Sequence, residues 1–471
     1  MQVAGDPRVP EYTQSCSIHH RKIAPVSPQR SNSKNHRQFG TLIGALVVGV
    51  QIVLIVLATL GLTACTPGNG SIQNDQGEWK GATVMIGIDG MRWDFPRAFS
   101  LHAMKGIADG GVGADALIPV FPTKTFPNFY TLATGLFPNH TGILDNTMYD
   151  PMFHARFRMG DTSAVRDGRW WEGEPVWVTA EKQGKRAAVY FWPGSEAEIS
   201  GRRPTFSMPY DGSVPNDERV EQVLRWLSLP PDERPSLILL YFSTVDDAGH
   251  RHGPDAAETA AAAREVDSSI GKLRSELTRR GFGDTVNLVI VSDHGFSARS
   301  SDRVVYLDDF VDLQSAGILS LGQHVTLWPK PEAVDSVYFA LANAHPELKV
   351  YKRENLPPRL HLAGHRRTPP IIAVPSAGWT VSTRRADQRP ERFSGGAHGY
   401  DNIEQDMRGV FIAGGPAFRT GVRIDSLRAV DVYNIVTRSI GLEPASNDGD
   451  ASIIPSLMIN HGAKSNSTEI P

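Results

Sequence analysis

Phe121-Pro122-Thr123-Lys124-Thr125-Phe126-Pro127-Asn128 separates an apolar run that ends at Asp89 from a helical run over residues 129–135. Pro127 suits the first turn of a helix, because the N–H that proline lacks would be unpaired there. Thr125 therefore stands at a predicted helix start, where backbone N–H groups and the positive end of the helix dipole attract an anion. The alternative is a threonine that only caps the helix. Acids and histidines further along the chain favour the first interpretation.

The composition is that of an ordinary globular protein, with 471 residues, 40% hydrophobic and 21% charged, and a formal net charge of −3. This near balance of charge argues against a dedicated nucleic-acid-binding protein, which carries a basic excess. The two cysteines, Cys16 and Cys65, precede the predicted folded body. A disulfide framework, a cysteine nucleophile and a cysteine-ligated zinc are therefore excluded, and a metal would be held by His, Asp or Glu.

The N-terminal region predicts attachment to a membrane. Residues 1–40 are polar with an excess of basic side chains, and we expect a disordered tail on the cytoplasmic side. Residues 41–64 contain no charged side chain and are long enough to span a bilayer as a helix. The positive-inside rule then predicts that the rest of the chain lies outside the cytoplasm, after a linker over residues 65–80.

The end of this apolar segment leaves two anchors open. Leu62-Thr63-Ala64-Cys65 resembles the lipidation box of bacterial lipoproteins, with Cys65 as the lipidated residue. The alternative is a signal anchor that stays in the bilayer, because the preceding tail is long for a secretory signal. Both alternatives tether the folded body to the periplasmic side of a bacterial inner membrane. Residues 461–471 are polar, and we expect a disordered tail.

Apolar runs of strand length alternate with helical stretches in the body of the chain. The apolar runs cover residues 83–88, 187–191, 236–242, 286–291 and 409–413, and helical stretches include 216–227 and 256–280. This alternation predicts an α/β fold, with a mostly parallel central sheet and helices on both faces. The alternation breaks over about residues 300–392, which we expect to form a small α+β insertion in a domain of residues 81–460.

Acids and histidines follow several of the apolar runs. They are Asp89, Asp246, His250, Asp293 and His294, with His398 in a glycine-rich element ahead of the last run. In an open α/β sheet, ligands bind outside the carboxyl ends of the strands. Asp246 and His250 are one helical turn apart, a good spacing for two ligands of one ion. A single aspartate at a strand end is an ordinary cap, but this set indicates a site for two metals, such as zinc, that act on phosphoryl groups.

Several motifs, in order, resemble the nucleotide pyrophosphatase/phosphodiesterase family of the alkaline phosphatase superfamily. They are Asp89-Gly90, residues 122–128, Asp246-x-x-x-His250, Asp293-His294-Gly295 and Ala397-His398-Gly399-Tyr400-Asp401-Asn402. Phe191-Trp192-Pro193-Gly194-Ser195 and Asp211-Gly212-Ser213-Val214-Pro215 add to the likeness. The resemblance runs from about Gly81 to Leu442 and implies an alkaline phosphatase-like catalytic domain.

The resemblance also implies a set of site residues. Asp246, His250 and His398 would hold one zinc ion, and Asp89, Asp293, His294 and the Thr125 hydroxyl would hold the other. Thr125 would be the nucleophile that forms a phosphothreonine ester. Asn146 would bind a phosphate oxygen, and Phe126 and Tyr210 would flank a nucleobase. The implied reaction is hydrolysis of nucleotide phosphodiester or pyrophosphate bonds, with release of a nucleoside monophosphate.

Two rival functions remain open at this point. A phosphomonoesterase, or a diesterase for lipid or choline head groups, would use the same fold on another substrate. A catalytically silent binding protein would use the fold without the chemistry, although all seven expected ligands are present. For an active metal enzyme, acid should protonate His250, His294 and His398 and release the metal, so activity should favour alkaline conditions.

Overall fold

The computed structural model describes residues 81–385 and 393–459. The predicted membrane segment 41–64, both cysteines, the linker and the tail 461–471 lie outside the described residues. Within the described ranges, every helix is too short or too polar to serve as a membrane span.

The strands are given in chain order. They are β1 (Ala82–Ile88), β2 (Val112–Ala114), β3 (Leu117–Ile118), β4 (Thr147–Asp150), β5 (Ala155–Arg158), β6 (Ala187–Tyr190), β7 (Phe206–Met208), β8 (Leu237–Phe242), β9 (Val286–Val291), β10 (Ser297–Ala298), β11 (Val304–Tyr306), β12 (Ile318–Ser320), β13 (Val325–Leu327), β14 (Leu348–Lys352), β15 (Ile371–Pro375), β16 (Thr380–Ser382), β17 (Gly396–Ala397), β18 (Phe411–Gly414), β19 (Val422–Ile424) and β20 (Leu427–Arg428).

The α-helices are numbered in the same way. They are α1 (Phe95–Ala98), α2 (His102–Asp109), α3 (Thr125–Thr134), α4 (Pro138–Thr141), α5 (Thr162–Val165), α6 (Val176–Lys182), α7 (Asn216–Leu227), α8 (Thr244–His252), α9 (Ala257–Arg279), α10 (Leu313–Ala316), α11 (Val334–Leu341), α12 (Val432–Ser439) and α13 (Ile454–Leu457).

The central sheet has eight strands in the order β19-β2-β18-β9-β1-β8-β6-β7. Adjacent strands in the series β9-β1-β8-β6-β7 are parallel to one another. Strand β18 runs antiparallel to both β9 and β2, and β19 is parallel to β2. The expected α/β fold with a mostly parallel sheet is therefore confirmed. The last apolar run is the exception, because β18 enters the sheet in the opposite direction.

The middle of the sheet is covered by helices on both faces. Every residue of β1, β8 and β9 is buried, which explains why these strands read as continuous apolar runs. One group of helices, α2, α7 and α8, packs around the long helix α9, and a second group consists of α3, α6 and α12. Because β9, β1 and β8 are adjacent and parallel, the residues that follow them come together at one edge of the sheet.

A second sheet lies within the segment that we expect to form the insertion. It is antiparallel, has the order β12-β13-β15-β14, and packs with α11 around an apolar cluster separate from the main core. A third cluster joins this region to the stretch around Thr125, because Phe121 and Leu144 pack with Leu360 and Ile372. The insertion is therefore in direct contact with the segment that carries the candidate nucleophile.

Candidate active site

Thr125 is the first residue of α3 and is 6% exposed. The loop before it contains a cis peptide bond between Phe121 and Pro122. Asn128 stabilises that loop, because its side-chain oxygen accepts from the Val120 N–H and its amide donates to the carbonyls of Pro122 and Lys124. One buried amide side chain therefore fixes the direction in which the chain enters the helix.

The same loop is bound to the loop that contains His398. The Thr123 hydroxyl donates to the Tyr400 carbonyl and accepts from the Gly399 N–H. The Thr123 carbonyl lies 2.8 Å from Nδ1 of His398. Two segments more than 270 residues apart in sequence are therefore held in one orientation beside Thr125.

Asp89, Asp246 and Asp293 follow the adjacent strands β1, β8 and β9. Gly90 allows Asp89 and Asp246 to approach each other, since a Cβ at position 90 would lie 2.4 Å from the Phe296 ring and 3.1 Å from Cα of Asp246. Its φ of +72° is also one that side chains disfavour. The Gly90 N–H donates to Oδ1 of Asp293, which links the ends of β1 and β9.

Asp246, His250 and His398 form the first group of possible metal ligands, and they are the residues that the family resemblance implies for one zinc ion. Oδ1 of Asp246 lies 3.5 Å from Nε2 of His250 and 3.7 Å from Nε2 of His398. The two Nε2 atoms are 3.0 Å apart. Ligands held at about 2.0–2.1 Å by a tetrahedral zinc lie roughly 3.3–3.5 Å from one another, so the three atoms are spaced to share one ion.

The second group consists of Asp89, Asp246 and His294. The family resemblance implies Asp293 and the Thr125 hydroxyl beside Asp89 and His294, whereas this group contains Asp246, which lies within reach of both groups. Nε2 of His294 lies 3.4 Å from Oδ1 of Asp89 and 2.9 Å from Oδ2 of Asp293. Asp293 has its other oxygen engaged by the Gly90 N–H, which leaves only Oδ2 towards the group. The two groups are therefore joined through Asp246.

All three histidines point their Nε2 nitrogen into the site. Nδ1 of each ring lies within hydrogen-bond distance of a backbone carbonyl: His250 with Gly396, His294 with Gly295 and His398 with Thr123. A carbonyl only accepts, so each Nδ1 carries the proton and each Nε2 carries a lone pair. Two lone pairs facing each other at 3.0 Å, in His250 and His398, repel each other unless a metal ion or a proton lies between them.

Burial sets the protonation of the acids and imidazoles when no metal is bound. It raises the pKa of Asp89 and of Asp246 well above the usual range, and neighbouring carboxylates raise both further. Burial raises the pKa of Asp293 to about 7 and lowers that of His294 to about 4. The imidazoles are therefore neutral at ordinary pH and can donate a lone pair to a metal ion. The carboxylates lack the positive charge that would stabilise their ionised form.

The residues present fit a pair of divalent cations. Among the described residues, four of the possible ligand atoms in this site are buried without a hydrogen-bond partner. They are Asp89 Oδ1, Asp246 Oδ1, Asp293 Oδ2 and His294 Nε2. Unpaired buried acceptors are costly in a folded protein, and a bound cation removes that cost. Carboxylate oxygen and imidazole nitrogen without sulfur suit zinc, manganese or iron.

The remaining predicted residues lie around the start of α3. Oδ1 of Asn146 accepts the Phe126 N–H at 2.9 Å, so its NH₂ group is the donor left for a ligand. The Phe126 ring is 8% exposed and packs on Phe157 and Trp171. Tyr210 is 54% exposed, with its ring 6.3 Å from that of Tyr241. Of the two predicted base-flanking rings, Tyr210 therefore offers the freer face.

Sequence reasoning missed several residues that support the site. Tyr241 lies inside an apolar strand, but its hydroxyl donates to Oδ2 of Asp89 at 2.6 Å. Asp145 accepts from the Lys124 ammonium, which is 14% exposed and not a freely solvated side chain. Asp145 directly precedes the predicted Asn146, and that position in the sequence could have identified it as a residue of the site. Nothing in the sequence pattern marks Tyr241, because an aromatic residue in a buried strand is ordinary.

The chain belongs to the Type I phosphodiesterase / nucleotide pyrophosphatase family, whose sequence profile matches residues 83–401. Members of this family hydrolyse phosphoric ester and pyrophosphate bonds, and the chain is a hydrolase of that class.

Individual relatives and solved structures agree with this assignment. Human ectonucleotide pyrophosphatase/phosphodiesterase family member 5 is 34% identical over 399 residues, which cover 84% of this chain and 80% of that protein. Member 1 from rat is 36% identical over 378 residues, covering 78% of this chain but only 41% of the rat protein. The mouse member 5 structure superposes with a TM-score of 0.76 at 33% identity, covering 80% of this chain and 100% of that chain. An inactive threonine-to-alanine variant of the mouse protein, in complex with AMP, gives the same values.

Proposed function

We propose that this protein is a two-zinc phosphodiesterase and nucleotide pyrophosphatase that releases a nucleoside monophosphate. One observation carries the proposal: buried ligand atoms of three aspartates and one histidine converge without hydrogen-bond partners at the carboxyl ends of three adjacent strands. Bound cations would stabilise such an arrangement, and two cations beside a helix start suit phosphoryl transfer. The match to nucleotide-cleaving relatives and the mouse complex with AMP support the substrate class.

The proposed ligands are the residues of the two groups together with Asp293 and Thr125. Asp246, His250 and His398 would hold one zinc, and Asp89, His294 and Asp293, with the Thr125 hydroxyl, would hold the other. When bound, the metals would supply positive charge that lowers the pKa of a coordinated hydroxyl and stabilises negative charge on the phosphate.

The protein's own residues would perform the group transfer. The Thr125 oxygen would attack phosphorus and lose its proton to the leaving oxygen as the bond from phosphorus to that oxygen breaks. The products would be a free alcohol or phosphate and a phosphothreonine ester that still carries the nucleoside. Attack of water on phosphorus would then release the nucleoside monophosphate and restore the threonine hydroxyl. The Asn146 NH₂ group would bind a non-bridging oxygen as its charge grows.

We also propose that residues 41–64 or a lipid on Cys65 tether the domain at the periplasmic side of a membrane.

A substrate panel tests the proposed specificity. We expect rapid hydrolysis of a nitrophenyl ester of thymidine monophosphate, and slow hydrolysis of nitrophenyl phosphate and of a nitrophenyl phosphocholine ester. A preference for the monoester or the choline ester would instead support one of the rival substrates. Absence of hydrolysis together with absence of bound metal would support a silent binding protein.

Replacement of Tyr210 with alanine tests the contact with the base. Stacking of a base on an aromatic ring contributes about 1–3 kcal/mol, so Tyr210→Ala should raise KM for the thymidine ester by about tenfold. Bis-nitrophenyl phosphate has no nucleobase and is the matched control, with KM expected to be unchanged. An equal rise in KM for both esters would show that Tyr210 acts on the phosphate site and not on a base.

Replacement of Tyr241 with phenylalanine tests the orientation of Asp89. The variant keeps the buried ring but removes the hydroxyl that donates to Oδ2. Loss of such a supporting hydrogen bond typically costs 10–100-fold in metal affinity or activity, and we expect a loss of about tenfold in zinc affinity. Titration with a competing zinc chelator would measure it. Tyr190→Phe, in the neighbouring strand β6, is a matched control. Unchanged zinc affinity in the Tyr241 variant would show that the hydroxyl does not support the metal site.

A further inference from the structure

Thr125 lies between two residues that are held by the same loop. Nζ of Lys124 donates to Oδ1 of Asp145 at 2.8 Å, and the Phe126 N–H donates to Oδ1 of Asn146 at 2.9 Å. The position of Thr125 relative to Asn146 therefore depends on how residues 145 and 146 are oriented.

The insertion holds that loop through His324, which lies between β12 and β13. Nδ1 of His324 is 2.6 Å from Oδ2 of Asp145, and the two side chains are 1% and 3% exposed. The His324 ring also meets Phe121 edge-on, with the ring centroids 5.1 Å apart. His324 thus contacts two segments near Thr125. One is the loop before α3, through Phe121, and the other is the loop that contains Asp145.

Asp145 is charged, and its oxygens have distinct partners. Burial alone would raise its pKa, but the Lys124 ammonium and His324 outweigh burial and hold the pKa at about 2. Oδ1 accepts from Lys124 and from the Thr147 N–H, whereas Oδ2 accepts from His324. Loss of the histidine would leave a buried carboxylate oxygen without its donor, a costly state that reorientation of the loop would relieve.

We propose that His324 is a positioning residue, through which the insertion fixes Asp145 and so aligns Thr125 and Asn146 on the substrate phosphate. This inference rests on the proposed function. His324 does not contact the candidate metal ligands, so its loss should leave zinc binding intact while slowing the chemical step. A displacement of about 1 Å between reacting groups can cost 100-fold in rate, which is the effect that this inference predicts at most.

Two amide substitutions at position 324 test the proposal. Asparagine places an N–H where Nδ1 lies, whereas glutamine places its amide where Nε2 lies and leaves Oδ2 of Asp145 without a donor. We expect His324→Asn to keep kcat within about threefold and His324→Gln to lower kcat by about 10–100-fold, with little change in KM or zinc content. His345→Gln is the matched control, because that histidine is in the same region but packs on Trp379.

The outcomes separate this inference from the proposed function. Rates are measured on the thymidine ester and expressed per zinc-loaded, folded protein. If the wild type fails to hydrolyse the ester, the proposed function is wrong. If the wild type is active and the asparagine and glutamine variants have equal kcat, the positioning role is wrong. If the glutamine variant does not fold, Asp145→Asn replaces it, and an unchanged kcat there overturns the proposal.

Discussion

Thr125→Ala is expected to reduce turnover of the thymidine ester by at least about a thousandfold, because it removes the proposed nucleophile. Metal content should fall little, since the buried carboxylates and imidazoles remain in place. The measurement is steady-state hydrolysis together with elemental analysis of the purified variant. Turnover within tenfold of the wild type would exclude Thr125 as the nucleophile.

Two matched variants separate chemistry from structure at this position. Thr125→Ser keeps a hydroxyl and should keep measurable activity, and radiolabelled substrate followed by acid quenching should trap a phosphorylated protein. Thr134→Ala makes the same change at the other end of α3, where the hydroxyl bonds only to the Tyr130 carbonyl and the Leu136 N–H. It should lower stability but not kcat. Loss of activity in both alanine variants would point to damage to the helix.

Removal of metal by a strong chelator is expected to abolish turnover and to lower Tm by roughly 5–10 °C at pH 8. The expected fall in Tm at pH 5.5 is smaller. Thermal unfolding of chelated and zinc-loaded protein at the two pH values measures both effects. Addition of zinc to the chelated protein should restore Tm and turnover, which is the control for irreversible damage.

The sign of this pH dependence follows from the carboxylates. In the metal-free fold the pKa of Asp293 is about 7, against 3.8 for an ordinary aspartate, and those of Asp89 and Asp246 are also raised. A raised pKa contributes stability at low pH that is lost as the pH rises through the folded-state value. Above pH 7 the metal-free fold therefore holds a buried negative charge on Asp293, and bound metal relieves it. Near pH 5.5, a proton already neutralises Asp293 and competes with the metal.

The pKa shifts also change which groups are expected to cause a loss of activity in acid. The sequence suggested protonation of the histidines, but burial lowers the pKa of His294 to about 4 and that of His398 well below its usual value. The carboxylates would therefore take up the competing protons first. A fall in Tm on chelation that is equal at the two pH values, or larger at pH 5.5, would contradict this explanation.

Much of the fold and of the candidate site follows from local patterns. Continuous apolar runs predict buried parallel strands, and β1, β8 and β9 are buried throughout. Acids directly after those runs predict a cluster at one edge of the sheet, because parallel strands end together. The direction of β18 was not predictable in this way, since a buried antiparallel strand has the same continuous apolar pattern as a parallel one.

The sequence by itself determined the fold class, the order of the motifs and the kinds of ligand, because strand burial and ligand chemistry depend on residue type. Only the tertiary structure decided which atoms meet: that Asp246 joins both ligand groups, and that each histidine presents Nε2. It also decided that His324 reaches Asp145 across 179 positions of sequence. The reason is physical, since hydrogen bonds and metal ligands depend on ångström-scale distances that only the packed fold sets.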